Sequence, residues 1–374
     1  MNKQLLVTGG AGFIGSNFVH YWHEAHPDDR IVVLDALTYA GNLASLEPLL
    51  ARESVEFVHG DIGDRPLVEG LLDRNRIETI VHFAAESHVD RSIAGPEAFI
   101  RTNVQGTFQL LEAARSVWLG SGIRAAAGLG ASHRFHHIST DEVYGTLGPD
   151  DPPVTEASAY APNSPYAASK AAADHLVRAY HRTYGLPVTT SNCSNNYGPH
   201  QFPEKLLPLM LIHALDGKPL PVYGDGRHVR DWLYVRDHCR GIGEIVTAGR
   251  IGETYNVGGE KERPNLQVVK LLSALIDQEF ASDLSLASRF PNAPAVHREK
   301  TESLITYVPD RPGHDRRYSV DGGKLERELG YRPLESFQSG LQRTVRWYLD
   351  NESWWRGVMD GSYREWIRSH YGVA

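Results

Sequence analysis

One short run near the start of the chain, Gly9-Gly10-Ala11-Gly12-Phe13-Ile14-Gly15, constrains the fold more than any other feature. It follows the apolar residues 4–8 at once and opens a stretch, 16–25, with helical spacing of apolar residues. Gly9, Gly12 and Gly15 permit a tight turn, close approach of backbone to an anion, and close packing of helix on strand. The helix start offers free N–H groups and positive potential to that anion. Asp35 stands 20 residues after Gly15, at the end of a second apolar run, 31–34. A carboxylate there suits the free ribose hydroxyl of NAD and repels the 2′-phosphate of NADP. The segment therefore predicts a dinucleotide-binding βαβ unit with NAD as its cofactor.

The same alternation continues. Runs at 4–8, 31–34, 55–59, 79–83, 135–139 and 187–191 read as short buried strands, with helical patterns at 16–25, 65–74, 97–115 and 164–184. Strands that are apolar without alternation are covered on both faces, as in a doubly wound parallel sheet. After Asn192 the rhythm fades and Pro, Gly and aromatic residues become frequent. Helices are expected at 267–279, 324–329 and 338–349. The segment 282–302 reads as a surface insertion and 120–132 as a loop. The expected division is a dinucleotide-binding unit over 1–191, completed by parts of 229–258, and a smaller lobe over 192–374.

Two further motifs carry chemistry. Tyr166 and Lys170 stand at i and i+4 on one expected helix, so they share a face. A phenol is a poor base at neutral pH, and a nearby ammonium favours its ionised form. Such a pair can take a proton from a hydroxyl while a nicotinamide takes the hydride. Thr140-Asp141-Glu142 follows the fifth strand, at the carboxyl edge where ligands of such sheets bind. Thr140 offers a hydroxyl. Asp141 and Glu142 offer an acid and a base, provided their surroundings push their pKa values apart. Their structural alternative is an acidic pair capping a helix.

With these motifs in hand, the chain resembles the extended short-chain dehydrogenase/reductase family, and within it the dTDP-glucose 4,6-dehydratases. The matching segments are 8–15, 84–90 (Ala-Ala-Glu-Ser-His-Val-Asp), 140–142, 166–170, 192–199, 202–206 and 310–318. The acid pair is the most discriminating, because related epimerases and decarboxylases usually lack it. The resemblance implies a Rossmann-type α/β fold with a smaller C-terminal α/β substrate-binding lobe. It also implies a redox-neutral reaction: oxidation at C4 of a nucleotide-activated glucose, loss of water across C5 and C6, and return of hydride to C6, with NAD retained throughout.

Roles follow residue by residue from the same resemblance. Tyr166 is the base, assisted by Lys170 and Thr140, while Glu142 takes the C5 proton and Asp141 protonates the leaving hydroxyl. Besides the three glycines, the cofactor side comprises Phe13, Ile14, Asp35, Leu37, Thr38, Asp61, Ile62, Ala84, Ala85, Thr102 and Asn196, together with Tyr166 and Lys170. The nucleotide-sugar side comprises Ser87, Thr140, Asn195, Lys205, Leu206, Pro221, Tyr223, Arg230, Asn265, Asp310, Arg311 and His314. A homodimer is implied, with helices 97–115 and 164–184 as its symmetric interface.

Composition narrows the alternatives. Lys and Arg number 38 against 46 Asp and Glu, a net charge of −8, which disfavours nucleic acid and anionic membranes as partners. Apolar runs are too short for a membrane span, and the first residues do not read as a secretory signal. Two cysteines and no zinc signature among the 18 histidines point to a reduced, cytoplasmic setting without a metal. Three other readings remain open: a nucleotide-sugar 4-epimerase, a dehydratase for CDP- or GDP-sugars, and a catalytically silent NAD-binding interaction protein on the same fold.

Overall fold

The computed structural model describes residues 2–120 and 133–359. Six strands appear where apolar runs stand in the sequence: β1 (Gln4–Thr8), β2 (Arg30–Asp35), β3 (Val55–His59), β4 (Thr79–His82), β5 (Arg134–Thr140) and β6 (Val188–Cys193). Leu5, Leu6 and Val7 of β1 are fully buried on both faces, which is why the run carries no alternation. The later strands are β7 (Asn195–Tyr197), β8 (Leu220–Tyr223), β9 (Val229–Tyr234), β10 (Thr254–Val257), β11 (Glu262–Pro264) and β12 (Ile305–Val308). The main sheet has seven strands in the order β10-β6-β5-β4-β1-β2-β3, all parallel. The order reverses between β1 and β4, and ligand clefts of such sheets open at that point.

The chain returns to this sheet late. Helix Val235–Ala248 packs its Val235, Cys239, Ile242 and Val246 against Phe18 and Trp22 of helix Phe13–Ala25, and β10 then joins the sheet edge. Two small sheets, β11-β9-β7 and β12-β8, lie outside the main one. Around them helices Leu206–Asp216, Asn265–Ser282 and Phe337–Asp350 enclose a second apolar core that includes Leu211, Trp232, Leu272, Phe337 and Trp355.

Two expectations need correction. The segment 282–302 is not a surface insertion: Leu286, Phe290 and Ala293 are buried in that second core, and Thr301 bonds Asp277 through both its N–H and its hydroxyl. Leu286, Phe290 and Ala293 keep helical spacing, but only one four-residue helix, Leu286–Arg289, and a short turn, Pro294–His297, carry the segment. The helical run beginning at Glu97 is not regular either. Residues Ile100–Gly106 form a wide π-type turn before helix Thr107–Leu119. The Asn103 amide turns inward there to bridge the backbone of Glu86 and the Ser169 hydroxyl, and Gly106 lies against Ile62 without room for a Cβ. Such wide turns tend to mark functional sites. The loop expectation at 120–132 falls almost wholly outside the described residues.

Candidate active site

The glycine turn leaves no space for side chains. Gly9 adopts φ +70°, and a Cβ there would meet the Ala84 nitrogen at 2.5 Å. A Cβ on Gly15 would lie 2.2 Å from the Gly9 carbonyl oxygen. At Gly12 the one neighbour is that same carbonyl, at 3.3 Å, so its remaining side opens toward the cleft. Asp35 at the tip of β2 accepts from Ala11 N at 2.9 Å and from Leu37 N at 2.8 Å. Burial raises its carboxyl above the ordinary range, and these two N–H groups oppose that.

One cleft at the switch point gathers Gly9, Gly12, Phe13, Ile14, Gly15, Asp35, Thr38, Asp61, Ile62, Ala84, Ala85, Thr102, Tyr166, Lys170 and Asn196. Leu37 is absent from its wall: it holds Asp35 through its backbone, and its side chain packs in the core beside β2. Residues the sequence reading passed over also line the cleft, among them Ala36, Gly41, Phe83, Glu86, Cys193, Phe202 and Glu204. Glu86, Cys193, Phe202 and Glu204 lie in the matching segments 84–90, 192–199 and 202–206, but nothing in the sequence marks them individually. The cradle fits a dinucleotide because backbone rather than side chain faces the opening at Gly12, where helix Phe13–Ala25 begins.

The chemistry lies at the end of β5. Thr140 caps a short helical turn, Asp141–Tyr144, by accepting from Glu142 N at 3.3 Å, and its hydroxyl faces Asp141 at 3.4 Å. Ser164 caps helix Pro165–Tyr184 through Ala167 N, and Pro165 takes the first turn, so Tyr166 and Lys170 project from a firmly started helix. Burial and then the Glu142 charge push the Tyr166 phenol well up, while Thr140 draws it down. Lys170 is buried and donates from Nζ to the Ile138 carbonyl at 2.7 Å.

Asp141 and Glu142 part company here. Burial, then Glu142 and Asp231, push the Asp141 carboxyl well above its usual range. Its Oδ2 is buried without a hydrogen-bond partner, a placement an ionised oxygen could hold only at high cost. Burial also raises Glu142, but Arg311, Arg230 and Lys205 all act to keep it ionised.

Those cations belong to the segments expected on the nucleotide-sugar side. Lys205 reaches across the cleft to donate to the Ser87 carbonyl at 2.8 Å. Arg311 lies 3.4 Å from Asp90, which also accepts from the Tyr223 hydroxyl at 3.3 Å. Arg230 stacks over the Tyr318 ring at 4.3 Å and donates to the Asp315 carbonyl. Ser87, Asn195 and Lys205 line the cleft. Tyr223, Arg230, Asp310, Arg311 and His314 do not line it: Tyr223 and Arg311 meet at Asp90, His314 pairs with Asp310, and the Arg311 and Arg230 charges act on Glu142. Asn265 starts its helix near His228, with its amide oxygen buried and unpartnered. Leu206 packs toward the second core, and Pro221 pairs with Thr306 in the small parallel sheet, so neither lines the cleft. His228, Asp310 and His314 offer donor atoms within 4.8 Å of one another. The two imidazoles stack at 3.6 Å and 15°, so their in-plane lone pairs run side by side instead of converging on an ion.

Strand order, glycine spacing and the Tyr166–Lys170 helix together place the protein among the extended short-chain dehydrogenases/reductases. Comparison with known proteins sharpens this. Residues 6–344 match the family model described as GDP-mannose 4,6 dehydratase. A dTDP-glucose 4,6-dehydratase of Xanthomonas campestris pv. campestris (strain B100) is 56% identical over 361 residues, covering 96% of this chain and 97% of that one. That of Neisseria meningitidis serogroup B is 53% identical over 362 residues, covering 97% and 98%. Among solved structures, DesIV, a dTDP-glucose 4,6-dehydratase from Streptomyces venezuelae with NAD and TYD bound, is 49% identical with a TM-score of 0.81, over 95% of this chain and 99% of that one. The chain belongs to this family of nucleotide-sugar 4,6-dehydratases, on the branch of the dTDP-glucose enzymes. No helix among the described residues is long and apolar enough to cross a membrane.

Proposed function

We propose that the protein converts dTDP-glucose to dTDP-4-keto-6-deoxyglucose and water with a retained NAD. The observation that carries this is the contrast between two adjacent buried carboxyl groups: Asp141 is pushed well up and keeps an unpartnered buried oxygen, while the rise of Glu142 is opposed by three cations. An epimerase that only oxidises and re-reduces C4 has no use for such a pair.

The steps follow from the residues. Bound NAD supplies the hydride acceptor, later the hydride donor, and a positive charge beside the phenol. Tyr166 takes the proton of the C4 hydroxyl while Thr140 holds that oxygen, and Lys170, one turn further along the same helix, holds its ammonium on the Ile138 carbonyl. The C4 ketone acidifies the C5 hydrogen. Glu142 takes that proton, and Asp141 donates its own to the C6 hydroxyl as water leaves. C5 then regains a proton and C6 receives the hydride taken from C4, so no net oxidant is consumed. Lys205, Arg230 and Arg311 supply the local positive charge that a pyrophosphate needs on a chain of net charge −8.

On the cofactor side, Asp35 holds a ribose and the Gly12–Gly15 helix start holds the pyrophosphate, with Thr38, Asp61, Ile62, Ala84, Ala85, Thr102 and Asn196 around them. Residues 1–191 with parts of 229–258 form the cofactor unit, and 192–374 mainly the sugar-nucleotide lobe. Two copies pair through the faces that expose Ile100 (48%) and Phe108 (38%). The setting is cytoplasmic. The test is to mix purified protein with dTDP-glucose and no added nicotinamide. Repeated turnover to the 4-keto product supports the reading, and consumption of one NAD⁺ per product overturns it.

A further inference from the structure

Tyr166 and Lys170 share their buried helix face with a third residue. Asp174 lies at the next i+4 position and is 6% exposed. Opposite these residues run consecutive positions of β5. The Lys170 ammonium donates to the Ile138 carbonyl at 2.7 Å. The Ser139 hydroxyl donates to Asp174 Oδ2 at 2.8 Å, and His137 Nε2 lies 3.1 Å from Asp174 Oδ1. Thr140, next on the strand, faces Tyr166. We infer that Asp174 is a positioning residue for this reaction: it supplies the counter-charge of Lys170 and locks the Tyr166 helix in register against the strand that carries Thr140, Asp141 and Glu142.

The surroundings support a charge role beyond packing. Tyr166 shares the helix face of Lys170 by its spacing; the groups facing Lys170 are Asp174 from its own helix, His137 and the Ile138 carbonyl from β5, His82 from β4 and Cys193 from β6. Burial holds both imidazoles neutral and the Cys193 thiol protonated. Asp174 is the carboxylate in this group. Burial acts to strip the Lys170 proton, and Asp174 is the strongest influence opposing that. The groups facing Asp174 are Lys170 and His175 from its own helix, His137 and Ser139 from β5, and Tyr144 and Tyr160 from the segment after it. Tyr160 donates to Oδ2 at 3.0 Å and itself accepts from Asn192. Burial pushes the Asp174 carboxyl up to about 6, with Lys170, Ser139 and Tyr160 opposing that rise. Burying an acid and an ammonium on one helix face is costly, and the bonds from Ser139 and Tyr160 to the acid and from the ammonium to the Ile138 carbonyl offset that cost.

This inference rests on the reading of Tyr166 and Lys170 given above. Its test isolates C4 oxidation with a dTDP sugar that lacks the C6 hydroxyl and so cannot be dehydrated. The pH profile of the single-turnover rate constant for this half-reaction is followed by the absorbance of the reduced nicotinamide at saturating sugar. In Asp174→Asn, Lys170 loses its counter-charge and its proton at lower pH. The alkaline limb therefore moves down by about one pH unit, the lower end of the shift given by a close opposite charge, while the sugar concentration that half-saturates the rate stays near the wild-type value. Tyr160→Phe removes one donor but leaves the carboxylate, so its limb stays in place. A folded Asp174→Asn protein with the wild-type limb overturns the inference, as does a Tyr160→Phe limb that moves equally far. If Asp174→Asn is insoluble, Asp174→Glu decides: it keeps the charge and must keep the limb, and a limb moved downward overturns the inference. Absence of C4 oxidation in the wild-type protein is a different outcome, which defeats the functional reading itself.

Discussion

Asp141 and Glu142 are joined by one peptide bond, yet Asp141 keeps a carboxyl oxygen buried without a partner while Glu142 faces Arg311, Arg230 and Lys205. The helical turn Asp141–Tyr144 produces this split by aiming successive side chains in different directions. Proton donor and proton acceptor can then act on neighbouring carbons of one sugar.

Replacing either acid should separate oxidation from dehydration. Glu142→Gln or Asp141→Asn is expected to slow product formation by about 10²–10⁴-fold, the usual share of general acid–base catalysis. Reduced nicotinamide should still form on mixing with dTDP-glucose, because Tyr166, Lys170 and Thr140 remain. Rapid-quench analysis beside absorbance reads both quantities. Wild-type-like rates in both variants would remove the acid pair from the mechanism.

The acid side of the pH profile reports Glu142. Burial raises its pKa above the ordinary glutamate range, so protonation begins at higher pH than in an exposed glutamate. Activity requires the ionised form and therefore falls as pH drops through this raised value. Arg311→Gln removes the first of the opposing cations and should move the acid limb of kcat further up, measured at saturating substrate. An unmoved or lowered limb would contradict the role given to Arg311.

Pairing of two copies is tested on the helical face that exposes Ile100 and Phe108. A charged side chain there interrupts an apolar contact but leaves the buried core alone. Phe108→Glu should convert a dimer to a monomer in sedimentation at micromolar concentration. A wild-type monomer at that concentration would dismiss the interface.

Glu112 gives a stability prediction. Arg115, with further help from Tyr180 and Arg65 and against some burial, holds its pKa down at about 2. A carboxylate with a depressed folded pKa stabilises the native state above its unfolded pKa and loses that contribution as pH falls through the folded value. Its side chain is 13% exposed but two of its partners are more so, and the network is partly screened. Glu112→Gln should therefore cost about 1 kcal/mol at neutral pH. The gap to wild type in urea unfolding should close as pH falls from 4.5 toward 2. A gap independent of pH would assign the cost to packing.

Much of this was legible in the sequence because the signals were local. The Gly9–Gly15 turn, Asp35 and the i, i+4 pair Tyr166–Lys170 each carry their geometry in their spacing. The buried strands were visible for the same reason. What escaped depends on contacts between distant residues. Nothing in the spacing around Asp90 shows that it accepts from Tyr223 and faces Arg311, more than 130 residues later. Asp174 looked like one polar position in a helix until β5 placed Ser139 against it. The wide turn at Ile100–Gly106 kept its apolar period, so the sequence read as a regular helix. The segment 282–302 hides its packing because Leu286, Phe290 and Ala293 sit on one four-residue helix and the start of the next short turn, with Pro, Asn and charged residues around them.

The central claim is an intramolecular transfer: the hydride removed from C4 of the sugar is the one delivered to C6. It is measured most directly with dTDP-glucose carrying deuterium at C4, supplied in excess to the protein without added nicotinamide. The 4-keto-6-deoxy product should carry that deuterium in its C6 methyl group, with solvent hydrogen at C5. Unlabelled product, deuterium accumulating in free nicotinamide, or label returned to C4 of a 4-epimer would contradict the account.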